Sequence, residues 1–202
     1  MKVSQWARQV VTVILLLLMV GLQAAAQATD RERLGMGLEY FRSGKYHEAL
    51  LILQKLDRQY RLNPRIRAYI GVCFYYEWDY KMATTYLDSV IPKLTAFSPQ
   101  ERSFYFYANG ESHFNLKQYD KALLMYQQML EVCHDDEKAD AFYRIGFIHV
   151  YNQDWLDALD NLQSALVYYR QYQPKEKARM AQIKNMINGC CARIRQEEEE
   201  KE

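Results

Sequence analysis

Four segments of the sequence share one spacing of small and bulky residues. In each segment a glycine is followed twelve residues later by an alanine, an aromatic residue stands three positions before that alanine, and a large residue stands four positions after it. The glycine–alanine pairs are Gly37 and Ala49, Gly71 and Ala83, Gly110 and Ala122, and Gly146 and Ala158. Small residues at these positions let two helices cross closely. Because one helical pair cannot bury its apolar side alone, the repetition predicts a stack of such pairs.

This pattern resembles the tetratricopeptide repeat (TPR). The glycines are separated by 34, 39 and 36 residues, close to the family period of about 34. The resemblance covers residues 31–169 and implies an all-α fold, a right-handed superhelical solenoid of four TPR helical hairpins with a C-terminal capping helix. The copies also depart from the family. Its early tryptophan is missing from each of them, Trp78 replaces a usual turn glycine, and Asn109 replaces a usual aliphatic residue.

The helix signals divide the chain into consecutive segments. We predict a signal peptide at 1–28, TPR repeats at about 30–62, 63–97, 98–134 and 135–173, a capping helix at 174–196, and an acidic disordered tail at 197–202. Asn63-Pro64 places a proline in the first turn of the second pair, where it removes no helical hydrogen bond. Pro92 ends that pair early, and Ser98 and Glu101 form a capping-box sequence for the next one. The stretch between Pro92 and Ser98 is expected to protrude.

The first 28 residues have the layout of a secretory signal peptide. Lys2 and Arg8 precede an apolar run at 10–22, and the small residues 24–28 supply a cleavage site ending at Ala28. The apolar run is short for a membrane span. The sequence therefore predicts an exported protein, in the periplasm of a two-membrane bacterium. An uncleaved N-terminal anchor is the alternative.

The charge balance argues against nucleic acid as a partner. The formal net charge is +1, and it becomes −1 once Lys2 and Arg8 are removed with the signal peptide. No basic run is present, whereas proteins that bind nucleic acid carry basic patches. The one charge block is Glu197–Glu200, which is typical of a solvated chain end.

The sequence offers no pattern for enzyme chemistry. It contains no CxxC, HExxH, GxSxG or glycine-rich phosphate loop. His113 and His149 occupy the same place in copies three and four, where copies one and two carry Tyr40 and Phe74, so we interpret both as packing residues. We expect no catalytic residue, no metal and no cofactor.

The four cysteines are not expected to form internal disulfides. Cys133 lies near the level where the last helix begins, whereas Cys190 and Cys191 lie about 22 Å along that helix at 1.5 Å per residue. Bridged Cα atoms lie within about 7 Å of each other. Cys73 is predicted to be a small buried apolar residue. An intermolecular bridge through Cys190 or Cys191 stays open.

The resemblance implies that the first helix of each pair lines a groove. Carried over position by position, it selects an aromatic set of partner-binding candidates: Phe41, Tyr75, Tyr76, Tyr107, Phe114, Tyr143, Phe147 and Tyr151. Clustered aromatic residues with polar ends are typical of interaction hot spots. The alternative interpretation is that tyrosine is abundant here, with 17 in the chain, and that some of these residues pack between repeats.

The function that follows is a non-enzymatic adaptor or scaffold that holds a partner protein in the cell envelope. Leu34 and Leu38 replace the carboxylate clamp that chaperone-binding members of the family carry in the first copy, so apolar anchoring of a partner segment is expected instead. Two alternatives are a cell-wall or carbohydrate binder, with sugar rings stacked on the tyrosines, and a self-assembling structural protein. The oligomeric state is open.

Overall fold

The computed structural model describes residues 12–14 and 29–200 of the chain. Residues 12–14 are helical. The rest of the predicted signal peptide lies outside the described residues, as do the last two residues of the predicted acidic tail. No helix in the described part of the chain is long and apolar enough to cross a membrane.

All regular structure from residue 29 to residue 200 is helical, which confirms the predicted fold class. The helices are α1 (helical residues 29–42), α2 (Tyr46–Tyr60), α3 (Pro64–Tyr76), α4 (Tyr80–Val90), α5 (Pro99–Asn115), α6 (Tyr119–Val132), α7 (Lys138–Asn152), α8 (Trp155–Tyr172) and α9 (Lys177–Glu199). Two short 3₁₀ turns, Ile91–Lys93 and Asp135–Glu137, precede α5 and α7.

The helices fall into two compact units. The first unit ends at Leu62 and contains the pair α1 and α2. The second begins at Asn63 and contains the pairs α3/α4, α5/α6 and α7/α8, followed by α9. In the second unit each pair also packs against the next one, through α4 on α5 and α6 on α7, and α9 packs on α8.

The repeat glycines mark the closest approach of the two helices of each pair. A Cβ atom added to Gly146 would lie 2.8 Å from Cγ of Leu162, the large residue four positions after Ala158. The glycines of the other three copies meet the equivalent residue at 2.7–2.9 Å, namely Leu53, Leu87 and Tyr126. The repeat alanines are completely buried. The small residues therefore allow the close crossing of paired helices that their spacing predicted.

Several of the predicted helix starts are confirmed by capping hydrogen bonds. The Asn63 side chain accepts from the backbone N–H of Ile66 at 3.1 Å, directly before Pro64. Ser98 accepts from the Glu101 N–H at 3.3 Å. The Glu101 carboxylate does not complete the predicted capping box; it accepts two hydrogen bonds from Arg65 at 2.7 and 2.8 Å. A charged partner on α3 competes successfully with a neutral backbone N–H.

The segment predicted to protrude between the second and third pairs is mostly exposed, but two of its residues anchor it. It begins with the turn Ile91–Lys93, and Leu94 is only 1% exposed. The Arg65 guanidinium lies over the half-buried Phe97 ring at 5.1 Å. Leu94 and Phe97 therefore attach the extra residues of the long 39-residue interval to the second unit.

The last helix is shifted along the chain relative to the prediction. It begins at Lys177, after a turn at Pro174, and continues to Glu199, so Glu197–Glu199 are helical where a disordered tail was predicted. Ile183 and Cys190 are buried in a cluster with residues of α8. The helix thus covers apolar residues of the fourth pair, as a capping helix does.

Candidate partner-binding surface

Aromatic side chains connect the first helices of the second and third pairs. The Tyr75 ring on α3 lies 6.4 Å from the Tyr107 ring on α5, at an interplanar angle of 81°. Tyr75 also contacts Tyr76 at 5.0 Å and Tyr80 at 6.4 Å. We call these four residues the tyrosine cluster. Edge-to-face contacts of this kind stabilise a pair of rings by about 0.5–1.5 kcal/mol beyond the area they bury.

A second group of rings connects the first helices of the third and fourth pairs. Phe114 on α5 lies 5.4 Å from Phe147 on α7, and also 5.4 Å from Tyr119 at the start of α6. The Tyr119 ring in turn contacts Tyr151 at 4.5 Å. We call these four residues the phenylalanine cluster, and the two clusters together with Glu111 and Arg144 the aromatic surface.

An ion pair with a buried carboxylate and a half-buried guanidinium separates the two clusters along α5. Arg144 of α7 donates two hydrogen bonds to Glu111 at 2.7 Å each, and the Tyr126 hydroxyl donates a third at 2.6 Å. The guanidinium also lies over the Phe114 ring at 4.4 Å. Burial lowers the pKa of Arg144, but the hydrogen bonds and charge of Glu111 outweigh that effect, and the net shift is upward. The pair is therefore satisfied internally and fixes α5 against α7.

Tyr75 and Tyr107 of the tyrosine cluster are neutral over the physiological pH range. Burial, with a smaller contribution from the Glu111 charge, raises the pKa of Tyr75 to about 12. The same two causes raise the pKa of Tyr107. The surface therefore presents apolar ring faces and hydroxyl groups, with its one charged pair already neutralised.

The structure brings most of the predicted site residues together. Of the eight candidates, six belong to the two clusters, and among these Tyr76 and Tyr151 are the most exposed, at 41% and 62%. Phe41 lies in the first unit, half-buried on α1, where its ring contacts Tyr46 at 5.8 Å.

Tyr143 was wrongly assigned to the surface. It is 4% exposed and packs in the cluster formed by α7, α8 and α9. The Arg179 guanidinium of α9 covers its ring at 4.3 Å. The repeat pattern placed Tyr143 on the lining face, but the capping helix occupies the space in front of it.

Three residues of the surface, Tyr80, Tyr119 and Arg144, were not predicted as lining residues from the sequence. Tyr80 and Tyr119 were identified only as repeat aromatic residues, yet Tyr80 contacts Tyr75, and Tyr119 joins Phe114 to Tyr151. Glu111 and Arg144 are 33 residues apart, close to one repeat, and opposite charges at that separation on neighbouring first helices could have indicated the pair.

The histidines of the shared position make local contacts. His113 is 2% exposed and bridges Gln118 at 2.7 Å and Asp88 at 3.0 Å. His149 faces Asp154 at 3.3 Å. Within the described residues, no group of three or more His, Cys, Asp or Glu side chains is arranged to hold a metal ion. All four cysteines are free thiols, and Cys73 is completely buried, as predicted.

Comparison with known proteins identifies solved structures with a similar fold. No family model and no curated protein matches the sequence. A crystal structure of MamA aligns with a TM-score of 0.59 at 14% identity, over 83% of this chain and 88% of that one. Residues 41 to the end of MamA from Desulfovibrio magneticus RS-1 align with a TM-score of 0.56 at 19% identity, over 83% and 96%.

A third similar structure is described as a TPR protein. YrrB, described as a TPR protein with an unusual peptide-binding site, aligns with a TM-score of 0.58 at 22% identity, over 73% of this chain and 72% of YrrB. The chain has a TPR fold. Its four glycine–alanine copies form close helix crossings of the kind that this fold requires.

Proposed function

We propose that this protein is a non-enzymatic adaptor or scaffold of the cell envelope that binds a segment of a partner protein on its aromatic surface. The observation that carries the proposal is the set of ring contacts that spans three first helices, from Tyr75 through Tyr107 to Phe114 and Phe147. The resemblance to TPR proteins implies that the first helices of the pairs line the binding groove. YrrB, with a similar fold, has a peptide-binding site.

The geometry favours apolar anchoring of the partner segment. The rings hold one another in place, so they lose little conformational freedom when a partner binds, and a rigid surface binds more tightly for that reason. Glu111 and Arg144 neutralise each other, so the surface offers no free charge at its centre to select a charged end group. A helical or extended segment with two or more apolar side chains would fit it.

Alanine variants test the partner site. Tyr107→Ala and Phe147→Ala each remove one ring from one cluster, and the double variant removes both the Tyr75–Tyr107 and the Phe114–Phe147 ring contacts. We expect a partner that co-purifies with the wild-type protein from its native cells to be retained at least tenfold less by the double variant. Leu156→Ala, which truncates a side chain on α8 that is 70% exposed, is the matched control and should retain the partner fully.

Folding must be checked in the same experiment. Far-ultraviolet circular dichroism and the melting temperature separate loss of binding from loss of structure, since both rings are half-buried. A double variant that is folded and retains its partner as well as the wild type would contradict the proposal.

The envelope location rests on residues 1–28. We propose that this segment directs export, is cleaved after Ala28, and leaves the mature protein in the periplasm. Mass spectrometry of the protein from its native cells would then find a mature N-terminus at Thr29 in the periplasmic fraction. Recovery of the intact Met1 N-terminus in the cytoplasmic fraction would contradict the proposed location, and leave the proposed binding surface untouched.

A further inference from the structure

A different side of α5 borders a cleft in the second unit. The cleft lies among α4, α5, α6 and the turn after α4, and its volume is about 470 Å³. Its apolar wall is formed by Ile91, Pro92, Phe106, Leu124 and Met125. Sites for small molecules commonly have volumes of about 300–1,000 Å³ and mostly apolar walls with a few polar groups. The cleft has that size and that composition.

The key polar group is the side chain of Asn109, which lines the cleft and is 1% exposed. Its Nδ2 donates to Asp88 Oδ1 at 2.8 Å. Because a carboxylate oxygen accepts hydrogen bonds, this contact fixes the orientation of the amide and assigns Oδ1 as the other atom. Asn109 Oδ1 is buried, and no donor among the described residues reaches it. A buried acceptor without a donor costs about 1–3 kcal/mol.

A second acceptor lines the same cleft from another helix. The Oε1 atom of Gln128 on α6 is also buried and has no donor within the described part of the chain. The cleft therefore has two unpaired acceptors, on α5 and on α6, beside its apolar wall.

Two departures from the repeat pattern occur at the cleft. Copies two and four carry Ile70 and Ile145 before the repeat glycine, and both are buried, whereas copy three carries Asn109. The long interval before copy three supplies Ile91, Pro92 and Thr95 to the wall. The polar residue and the extra residues that frame it thus occur together, in the copy where the cleft lies.

The charges at the cleft restrict what could bind there. Asp88 is engaged by Asn109 and by His113 at 3.0 Å. Two cations, Arg102 and Lys121, also line the cleft. A cationic donor would be repelled by these side chains, so a neutral N–H or O–H group is the donor that Asn109 Oδ1 would select.

We propose that this cleft binds a small molecule with an apolar body and a neutral N–H or O–H donor, which donates a hydrogen bond to Asn109 Oδ1. The site is separate from the aromatic surface, since it uses other residues of α5. Its occupation does not depend on partner binding, and neither proposal requires the other.

Indole and 1-methylindole are suitable probes. Both have a rigid apolar body, but only indole has an N–H donor. The full chain is labelled at its methionine methyl groups, and the probe is titrated while the NMR signal of Met125 is followed. We expect a saturable shift of Met125 with indole and an affinity roughly five- to tenfold lower for 1-methylindole, which is the contribution of about one hydrogen bond.

Two variants assign the effect to Asn109. Asn109→Ile removes the acceptor and restores the residue type of copies two and four, so the fold should tolerate it, and the two probes should then bind with equal affinity. Asn115→Ala changes an exposed asparagine on the same helix and should preserve the preference for indole.

Three results would overturn the proposal. The first is equal binding of the two probes by the wild-type protein, which needs no variant to fold. The second is the lack of any saturable Met125 shift with either probe. The third is a preference for indole that persists in a folded Asn109→Ile variant.

Discussion

Helix α5 carries two stripes of side chains that differ in how their polar groups are satisfied. One stripe contains Tyr107, Glu111 and Phe114 and belongs to the aromatic surface. The other contains Phe106, Asn109 and His113 and lines the cleft. Both follow the spacing of three and four residues that places side chains on one side of a helix. On the first stripe the buried Glu111 carboxylate is hydrogen-bonded by Arg144 and Tyr126. On the second stripe the Oδ1 atom of the buried Asn109 amide has no donor among the described residues.

This difference underlies the two kinds of recognition that we propose within one repeat. On the aromatic surface the rings contact each other and Glu111 is held by Arg144 and Tyr126, so what is offered to a partner is a broad apolar area. In the cleft, the buried Oδ1 of Asn109 has no donor among the described residues. The first arrangement suits a macromolecular segment, and the second suits a small molecule.

The largest effect on the free energy of unfolding should come from breaking the ion pair of the aromatic surface. Arg144→Met leaves the Glu111 carboxylate, which is 5% exposed, without its cation, and loss of one partner of a buried pair costs about 3–5 kcal/mol. Chemical denaturation should show a loss of that size in the free energy of unfolding. Arg102→Met, at the cleft, should cost less than about 1 kcal/mol, because Arg102 contributes a single ring contact, with Phe106 at 5.7 Å.

The double variant Glu111→Gln with Arg144→Met sharpens this test. It removes both charges and keeps an oxygen that can accept from the Tyr126 hydroxyl, so most of the stability lost in Arg144→Met should return. If the single and double variants were equally unstable, the packing of the arginine stem, and not the unpaired charge, would explain the loss.

The next largest effect on the free energy of unfolding is expected from exchanging residues at equivalent positions of copies three and four. Ile145→Asn introduces into a packed apolar cluster the residue that copy three has at the cleft, and burying an unpaired amide there should cost about 3 kcal/mol. The reciprocal change Asn109→Ile removes an unpaired acceptor and should raise the free energy of unfolding by about 1 kcal/mol. Denaturation curves of the two variants measure both. A loss of several kcal/mol in Asn109→Ile would show that the amide is fully satisfied in the folded protein.

The smallest effect is the change that protonation of Asp88, at the cleft, causes in the free energy of unfolding as the pH falls. Burial raises the pKa of Asp88, but hydrogen bonds from His113 and Asn109 and the nearby charges of His113 and Lys121 outweigh it, so the net shift is downward. A carboxylate whose pKa is lowered by folding stabilises the fold above its unfolded pKa of about 3.9, and the contribution is lost as the pH falls through the folded pKa. The effect is small because Asp88 is 46% exposed.

Asp88→Asn should therefore show a smaller fall in the free energy of unfolding between pH 5 and pH 3 than the wild type does. Urea denaturation at both pH values measures the difference. Parallel acid responses in the two proteins would mean that the contacts of Asp88 with His113 and Asn109 do not stabilise its charged form.

The repeats could be predicted from the sequence because their packing is local. Gly146 and Leu162 are sixteen residues apart in one pair, and the same contact recurs in each copy. Asn63 and Ser98 cap their helices through residues three positions ahead. In all these cases the spacing along the chain determines which side chains meet.

The parts that could not be predicted depend on distant contacts. Tyr143 has the repeat position of a surface residue, but Arg179 of a helix outside the repeats covers it. Glu101 has a capping-box position, but Arg65 of the preceding pair takes its carboxylate. Asn109 was recognised as a departure from the family. That it faces a cleft depends on how the extra residues after α4 pack, which no periodicity specifies.

The most direct test of the account is photo-crosslinking from two positions in native cells. A photoreactive amino acid replaces Phe147 of the aromatic surface in one strain and Leu124, which lines the cleft and is 51% exposed, in another. Mass spectrometry of the adducts should identify one dominant envelope protein from position 147, with at least tenfold less of it from position 124. Equal adducts from both positions, adducts only with a second copy of this chain, or no protein adduct from a folded variant at 147 would contradict partner binding by the aromatic surface.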